Sequence, residues 1–153
     1  VSWIFLLYLA GTISSALMGR LSDRYGRAPM LALGLGIQLA GVTISLAGLL
    51  PVKIGGIAVF TFGFFGAHSI ASSWVGQRAM RDKGAASALY LFTFYIGASI
   101  AGTVAGLFWM RFGWAGVVGF IALLLVVALG LAALARRLSA RGCCHILSGT
   151  FWL

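Results

Sequence analysis

The 153 residues are 61% hydrophobic and only 8% charged, with a mean hydropathy of +1.07. Soluble domains carry roughly 25% charged residues, and no water-soluble core of this length could enclose so much hydrocarbon, so the chain is read as a membrane protein. A net charge of +9 is of the kind nucleic-acid binders carry, but the basic residues sit in short clusters between apolar runs. Loops meet anionic headgroups in that way, and nucleic acid is excluded as a partner.

A bilayer crossing needs about 20 predominantly apolar residues. Five stretches qualify, at about 1–19, 29–50, 54–77, 84–110 and 115–135. Backbone polar groups cannot stay unpaired in lipid, and the alternation of a membrane strand is absent, so these are predicted helices. The predicted domains are a transmembrane bundle over 1–137 and a cytoplasmic tail over 138–153. The chain opens on Val1 with no basic stretch ahead of Trp3, so no cleavable signal is read there and a beginning further upstream is expected.

The first predicted helix ends in the segment Gly19-Arg20-Leu21-Ser22-Asp23-Arg24-Tyr25-Gly26-Arg27, read as a charged, glycine-bracketed loop. Gly19 is expected to let the helix approach a neighbour, and Gly26 to supply a turn conformation few residues tolerate. Asp23 can pair with Arg24 or Arg27, or sit against the positive end of a helix, with the start of the fourth helix near Gly84 as one choice. A contact of that kind could act as a latch, and an ordinary positive-inside loop is the plainer alternative.

The second helix opens at Pro29 and is expected to end at Pro51. Gly34, Gly41 and Gly48 recur along it, and Gly102 and Gly106 make a GxxxG step on the fourth helix. Both patterns suit close helix packing, with a sliding surface as the second reading. The third helix carries His68, Ser69, Ser72 and Ser73, and the fourth carries Tyr90, Thr93 and Tyr95. Polar side chains within a span usually face a bundle interior or a wet cavity, so His68, Ser72, Tyr90, Thr93 and Tyr95 are candidate cavity-lining residues. His68 is the one histidine within a predicted span. Its titration range suits proton handling, and a neutral histidine bonded to a neighbouring helix is the plainer reading. The fifth stretch, Ala115 to Ala135, has no polar side chain and is expected to face lipid.

The connecting segments and tail hold three, one, three, one and three basic residues: Arg20, Arg24 and Arg27; Lys53; Arg78, Arg81 and Lys83; Arg111; and Arg136, Arg137 and Arg141. The positive-inside rule then puts the first and third connections and the C-terminus in the cytoplasm. Trp3, Trp109 and Trp114 fall at the outer boundary and Trp74 at the inner one, as an aromatic belt does. No carboxylate lies within a span, since Asp23 and Asp82 are both in connections. Cys143, Cys144 and His145 lack the spacing of a zinc site. No triad, metal cluster or phosphate loop points to an enzyme, and no cofactor is expected.

The segment with Gly19, Asp23, Arg24, Gly26 and Arg27 resembles the cytoplasmic signature loop of the major facilitator superfamily, departing from it at Ala28, where a further basic residue is usual. The later stretches, Gly63 to Trp74, Gly84 to Tyr90 and Tyr95 to Ser99, are similar to the late helices of bacterial inner-membrane exporters of that superfamily, including sugar-efflux and multidrug-efflux types. The resemblance covers most of residues 1–137. It implies an all-α membrane fold, with these five transmembrane helices part of a twelve-helix bundle. Helices eight to twelve are favoured, because the third helix lacks an embedded Arg and the fourth lacks a Gly-Pro motif. It also implies a multi-pass protein of the bacterial inner membrane, C-terminus cytoplasmic, working as a proton-coupled efflux antiporter by alternating access. Its partners would be the lipid bilayer, a small-molecule substrate and the missing N-terminal half. In it, Asp23 and its Arg neighbours would steady the outward-open state. The alternative is a non-transporting five-span structural or regulatory membrane subunit.

Overall fold

The computed structural model describes the backbone at residues 2–79 and 82–147, and side chains at 9, 11–79 and 82–134. Arg81, the chain end at 148–153 and the side chains of Trp3, Tyr8, Arg136, Arg137, Arg141, Cys143, Cys144 and His145 lie outside those descriptions. The described chain is helical: α1 (Ser2–Tyr25), α2 (Arg27–Ile44), α3 (Leu50–Arg78) and α4 (Lys83–Leu147), the last broken at Gly113.

Three boundaries differ from the sequence reading. The signature segment is not a loop. α1 runs through it to Tyr25, and Gly26 alone is non-helical, at φ 90° and ψ 149°. Residues 20–25 contain no helix breaker, and only glycine adopts that φ without strain. The second helix stops at Ile44 rather than near residue 50. Its end is closed by bonds from the Ser45 N–H to the Gly41 carbonyl and from the Leu46 N–H to the Thr43 carbonyl, each 3.1 Å. Pro51 therefore does not end α2; it stands in the first turn of α3, where a missing N–H costs nothing. Finally, the helix of α4 continues to Leu147, into the segment read as a tail.

Among the described residues, three helices are long and apolar enough to cross a membrane: α2, α3 and the 52 residues Lys83–Leu134 of α4. At 1.5 Å per residue such a stretch would reach about 78 Å if straight, more than twice a hydrocarbon core of about 30 Å. It is not straight. Gly113, at φ 62° and ψ −150°, folds it back. Residues twelve apart in a straight helix are about 18 Å apart, yet the Phe108 and Phe120 rings stack with centroids at 5.2 Å, and Trp109 meets Trp114 at 6.1 Å. α4 thus has two arms, 83–112 and 114–147.

α3 is the hub of the bundle. Against α2 it packs backbone to backbone: a Cβ on Gly41 would lie 2.3 Å from the Phe60 nitrogen, and one on Gly63 2.7 Å from the Gly34 carbonyl oxygen. Such contact supplies dispersion attraction where lipid leaves little hydrophobic drive between helices. Gly48 and the Gly102–Gly106 step do not share this role. Among the described residues a Cβ at any of them meets nothing within 4 Å; Gly48 lies in the turn after α2. Gly19 is equally open, so it mediates no approach of α1 among the described residues. α1 reaches α3 instead through Gly11 under the Phe65 ring, Met18 against Gly66, and the buried Ser14 hydroxyl, which donates to the Phe62 carbonyl. The second arm of α4 closes on α2 through Val42, Val118 and Leu125, flanked by Leu35, Leu39, Phe60, Trp114 and Ile121. Its outer face (Leu123, Leu124, Val126, Val127, Leu131) is exposed.

Candidate functional site

Two places bring together the polar groups that the sequence singles out. The first lies between α3 and the first arm of α4. Phe64 and His68 are one turn apart on α3, and Tyr90 and Phe94 are one turn apart on α4, so each pair shares a helix face. The faces meet. The Tyr90 hydroxyl and His68 Nδ1 are hydrogen-bonded at 3.0 Å. The imidazole stacks on Phe64 with centroids at 5.9 Å and lies 4.6 Å from the Phe94 ring. Phe64 and Phe94 stand 6.2 Å apart, which closes the cluster. All four side chains are partly buried. A hydrogen-bonded pair is thus held in an aromatic frame on two helices whose cores carry no Asp, Glu, Lys or Arg between Lys53 and Arg78 or between Lys83 and Arg111.

The other candidate cavity residues stand apart from this cluster. The Ser72 hydroxyl donates to the Ser69 carbonyl at 3.1 Å, within its own turn. The exposed Thr93 hydroxyl donates to the Leu89 carbonyl at 2.8 Å. Tyr95 is 67% exposed and touches Phe94 edge-on at 5.5 Å. Short hydroxyls on helices bond readily to the preceding turn, so polarity alone did not place Ser72 or Thr93 against a partner. Phe64 and Phe94, absent from the candidate residues, form the walls. The i, i+4 spacing of Phe64 with His68 and of Tyr90 with Phe94 is the signal that could have found them.

The second place is the turn between α1 and α2. Asp23 and Arg27 face each other across Gly26 at 3.9 Å, with the Asp23 side chain 75% exposed and that of Arg27 24% exposed. An exposed pair at this distance contributes about 0–1 kcal/mol. Arg24 does not join it; its guanidinium lies over the Tyr25 ring, 5.6 Å from the centroid. The expected contact of Asp23 with the start of the fourth helix is not present: Gly84 has open space beside it, and the ion partner of Asp23 among the described residues is Arg27. Beneath the turn lies an open cavity of about 480 Å³ lined by Ser22, Asp23, Gly26, Arg27, Pro29 and Trp74. Arg78, at the end of α3, covers the Trp74 ring at 5.3 Å. The turn of α1–α2 and the end of α3 therefore share one basic, aromatic rim.

At the opposite end of α2 and α3, the Trp114 indole N–H donates to the Ser45 carbonyl at 2.9 Å, and Lys53 lies over its ring at 5.6 Å. The sequence reading placed Trp114 in an anchoring belt; here it also ties the second arm of α4 to the end of α2.

Apolar helices joined by single-glycine reversals, with a charged turn at one end and paired polar groups within, describe a multi-pass membrane protein. The Major Facilitator Superfamily model matches residues 1–142, and the chain belongs to that superfamily of transporters. It is 52% identical over 136 residues to the uncharacterized MFS-type transporter YybF of Bacillus subtilis, covering 89% of this chain and 34% of that protein. It is 50% identical over 141 residues to the inner membrane transport protein YnfM of Escherichia coli, covering 92% of this chain and 34% of that protein. The chain spans about a third of the length of these relatives. No solved structure matches it.

Proposed function

We propose that the chain forms helices eight to twelve of a secondary active transporter that exports a small molecule across the bacterial inner membrane, coupled to protons. In this reading α1, α2, α3 and the two arms of α4 each cross once, with the charged α1–α2 turn and the C-terminus in the cytoplasm. The transporter works by alternating access, two bundles rocking about a central site. The observation that carries the proposal is half-identity over nearly the whole chain to a protein named for inner membrane transport. The open glycine step at Gly102 and Gly106 supports an unseen neighbour, since lipid has no need of small residues and helices do. That neighbour is the N-terminal half. The Asp23–Arg27 pair acts as the latch, and the His68–Tyr90 pair borders the substrate path.

The absence of any embedded carboxylate gives this reading a sharp consequence. These 153 residues alone should not catalyse proton-coupled transport, because the embedded carboxylate must come from the other half, or His68 must serve in its place. The test has two parts. An antibody against the C-terminal tail should detect a native polypeptide of at least twice the 16.1 kDa of this chain. Everted vesicles carrying that polypeptide should accumulate substrate dyes in a gradient-dependent way, while proteoliposomes of the 153-residue chain stay inert. A native product of about 16 kDa with no separately encoded half would leave the non-transporting subunit as the reading.

A further inference from the structure

The hydrogen bond between Tyr90 and His68 has a chemical asymmetry. A neutral imidazole with its proton on Nε2 offers Nδ1 as an acceptor, and the tyrosine hydroxyl must donate to it. An imidazolium carries protons on both nitrogens, so Nδ1 can only donate and the tyrosine oxygen must accept. The 3.0 Å contact serves both arrangements without any movement of the helices. What changes is where the hydroxyl proton points.

From this we infer that His68 and Tyr90 form a proton-switched donor: protonation of His68 reverses their hydrogen bond and releases the Tyr90 O–H to donate to a hydrogen-bond acceptor on the substrate. The inference rests on the proposed reading that this pair borders the substrate path. The proton balance is simple. The tyrosine oxygen takes one proton from the path while its own passes to Nδ1. One proton enters, the pair gains one positive charge, and the hydroxyl ends with a proton directed away from His68. No covalent bond other than O–H and N–H is altered.

The surroundings suit both states. The imidazolium would lie 4.6 Å from the Phe94 centroid and 5.9 Å from that of Phe64, within the range of about 6 Å in which a ring face attracts a cation. Tyr90, from α4, is the titratable side chain shown against His68. α3 itself contributes Phe64, and the nearest charged residues along the two helices are Lys53 and Arg78 on α3 and Lys83 and Arg111 on α4. Arg78 lies ten residues from His68, about 15 Å along the helix. The faces that α3 turns to α1 and α2 carry Phe62, Phe65, Gly66, Gly56 and Gly63, none of which titrates. Among the described residues Nδ1 is the hydrogen-bond partner of the Tyr90 hydroxyl, so none of them is shown to compete for the released proton. A substrate bearing a carbonyl, ether or sulfonyl oxygen would receive it, which makes the protonated state the one that holds such a molecule.

The complete protein in lipid nanodiscs tests this, with imidazole-15N histidine followed by NMR and the tyrosine C–O stretch followed by infrared difference spectroscopy. His68→Gln and Tyr90→Phe assign the two signals. At high pH the His68 Nδ1 resonance should be that of an unprotonated nitrogen and the Tyr90 band that of a donor. As pH falls, Nδ1 should gain its proton and the Tyr90 band should shift to that of an acceptor, in the same step. A neutral His68 already protonated at Nδ1, or a Tyr90 band indifferent to His68 titration, would overturn the inference. Both readouts are taken on the unaltered protein without substrate, so a failure of the transport proposal leaves them interpretable. In Tyr90→Phe the His68 titration should persist alone.

Discussion

Gly41→Ala should destabilise the bundle although it adds one methyl group and improves helix propensity. The new Cβ would lie 2.3 Å from the Phe60 nitrogen, 2.7 Å from the Phe60 Cα and 2.8 Å from the Gly56 carbonyl oxygen. All three are backbone atoms, so no rotamer change can relieve the overlap. Restoring ordinary contact near 3.4 Å requires α2 and α3 to part by about 1 Å. A gap of 0.5–1 Å forfeits roughly a quarter to a half of each atom-pair attraction along the face. Overpacking of this kind costs about 1–3 kcal/mol, and the backbone nature of the clash puts this site at the upper end. Gly36 on the same helix has open space beside it, so Gly36→Ala is the control, neutral or stabilising by up to about 1 kcal/mol through propensity. Unfolding by a denaturing detergent in mixed micelles, followed by circular dichroism, would compare the two. Equal midpoints would refute the reasoning, since they would mean that α2 and α3 are not in backbone contact.

Gly113→Ala should cost about 1–3 kcal/mol, because φ 62° with ψ −150° is accessible essentially to glycine alone; a cysteine pair replacing Phe108 and Phe120 should then crosslink less readily than in the parent. Trp114→Phe keeps an aromatic ring, though a smaller one, and loses the indole bond to the Ser45 carbonyl, so a loss of at least about 1 kcal/mol is expected in the same unfolding assay. Asp23→Asn should shift stability by less than about 1 kcal/mol, since the pair is long and exposed. If the latch reading holds, the same variant should still cut transport at least tenfold, and parallel loss of stability and transport would argue for a merely structural pair.

Hydropathy and charge spacing made the membrane class, the helical fold and the reversal near residues 111–114 legible, because each reflects the cost of placing polar groups in lipid. The helix ends were less so. Hydropathy reports where the bilayer ends, whereas the helix of α1 ends where the backbone hydrogen bonds do, at Tyr25, beyond Arg20 and Asp23. Pro51 could close one helix or open the next, and only the bonds that finish α2 at Ser45 decide for the latter. His68 and Tyr90 were both named from polarity within apolar runs. Their pairing was not legible, because it depends on how α4 registers against α3, and no periodicity within one helix carries that information. Thr93 and Tyr95, named by the same polarity rule, are exposed among the described residues.

The single residue between α1 and α2 has a mechanical meaning. Two long rods meet at a swivel with two free torsions, the φ and ψ of Gly26. α2 is 18 residues long, about 27 Å, so a pivot of about ten degrees at the swivel sweeps its far end through roughly 5 Å, one helical pitch. α2 grips α3 backbone to backbone, but α3 is also tied to α1 through Gly11, Ser14 and Met18, so a swing of α2 about Gly26 must either slide along α3 or break the contacts of α3 with α1.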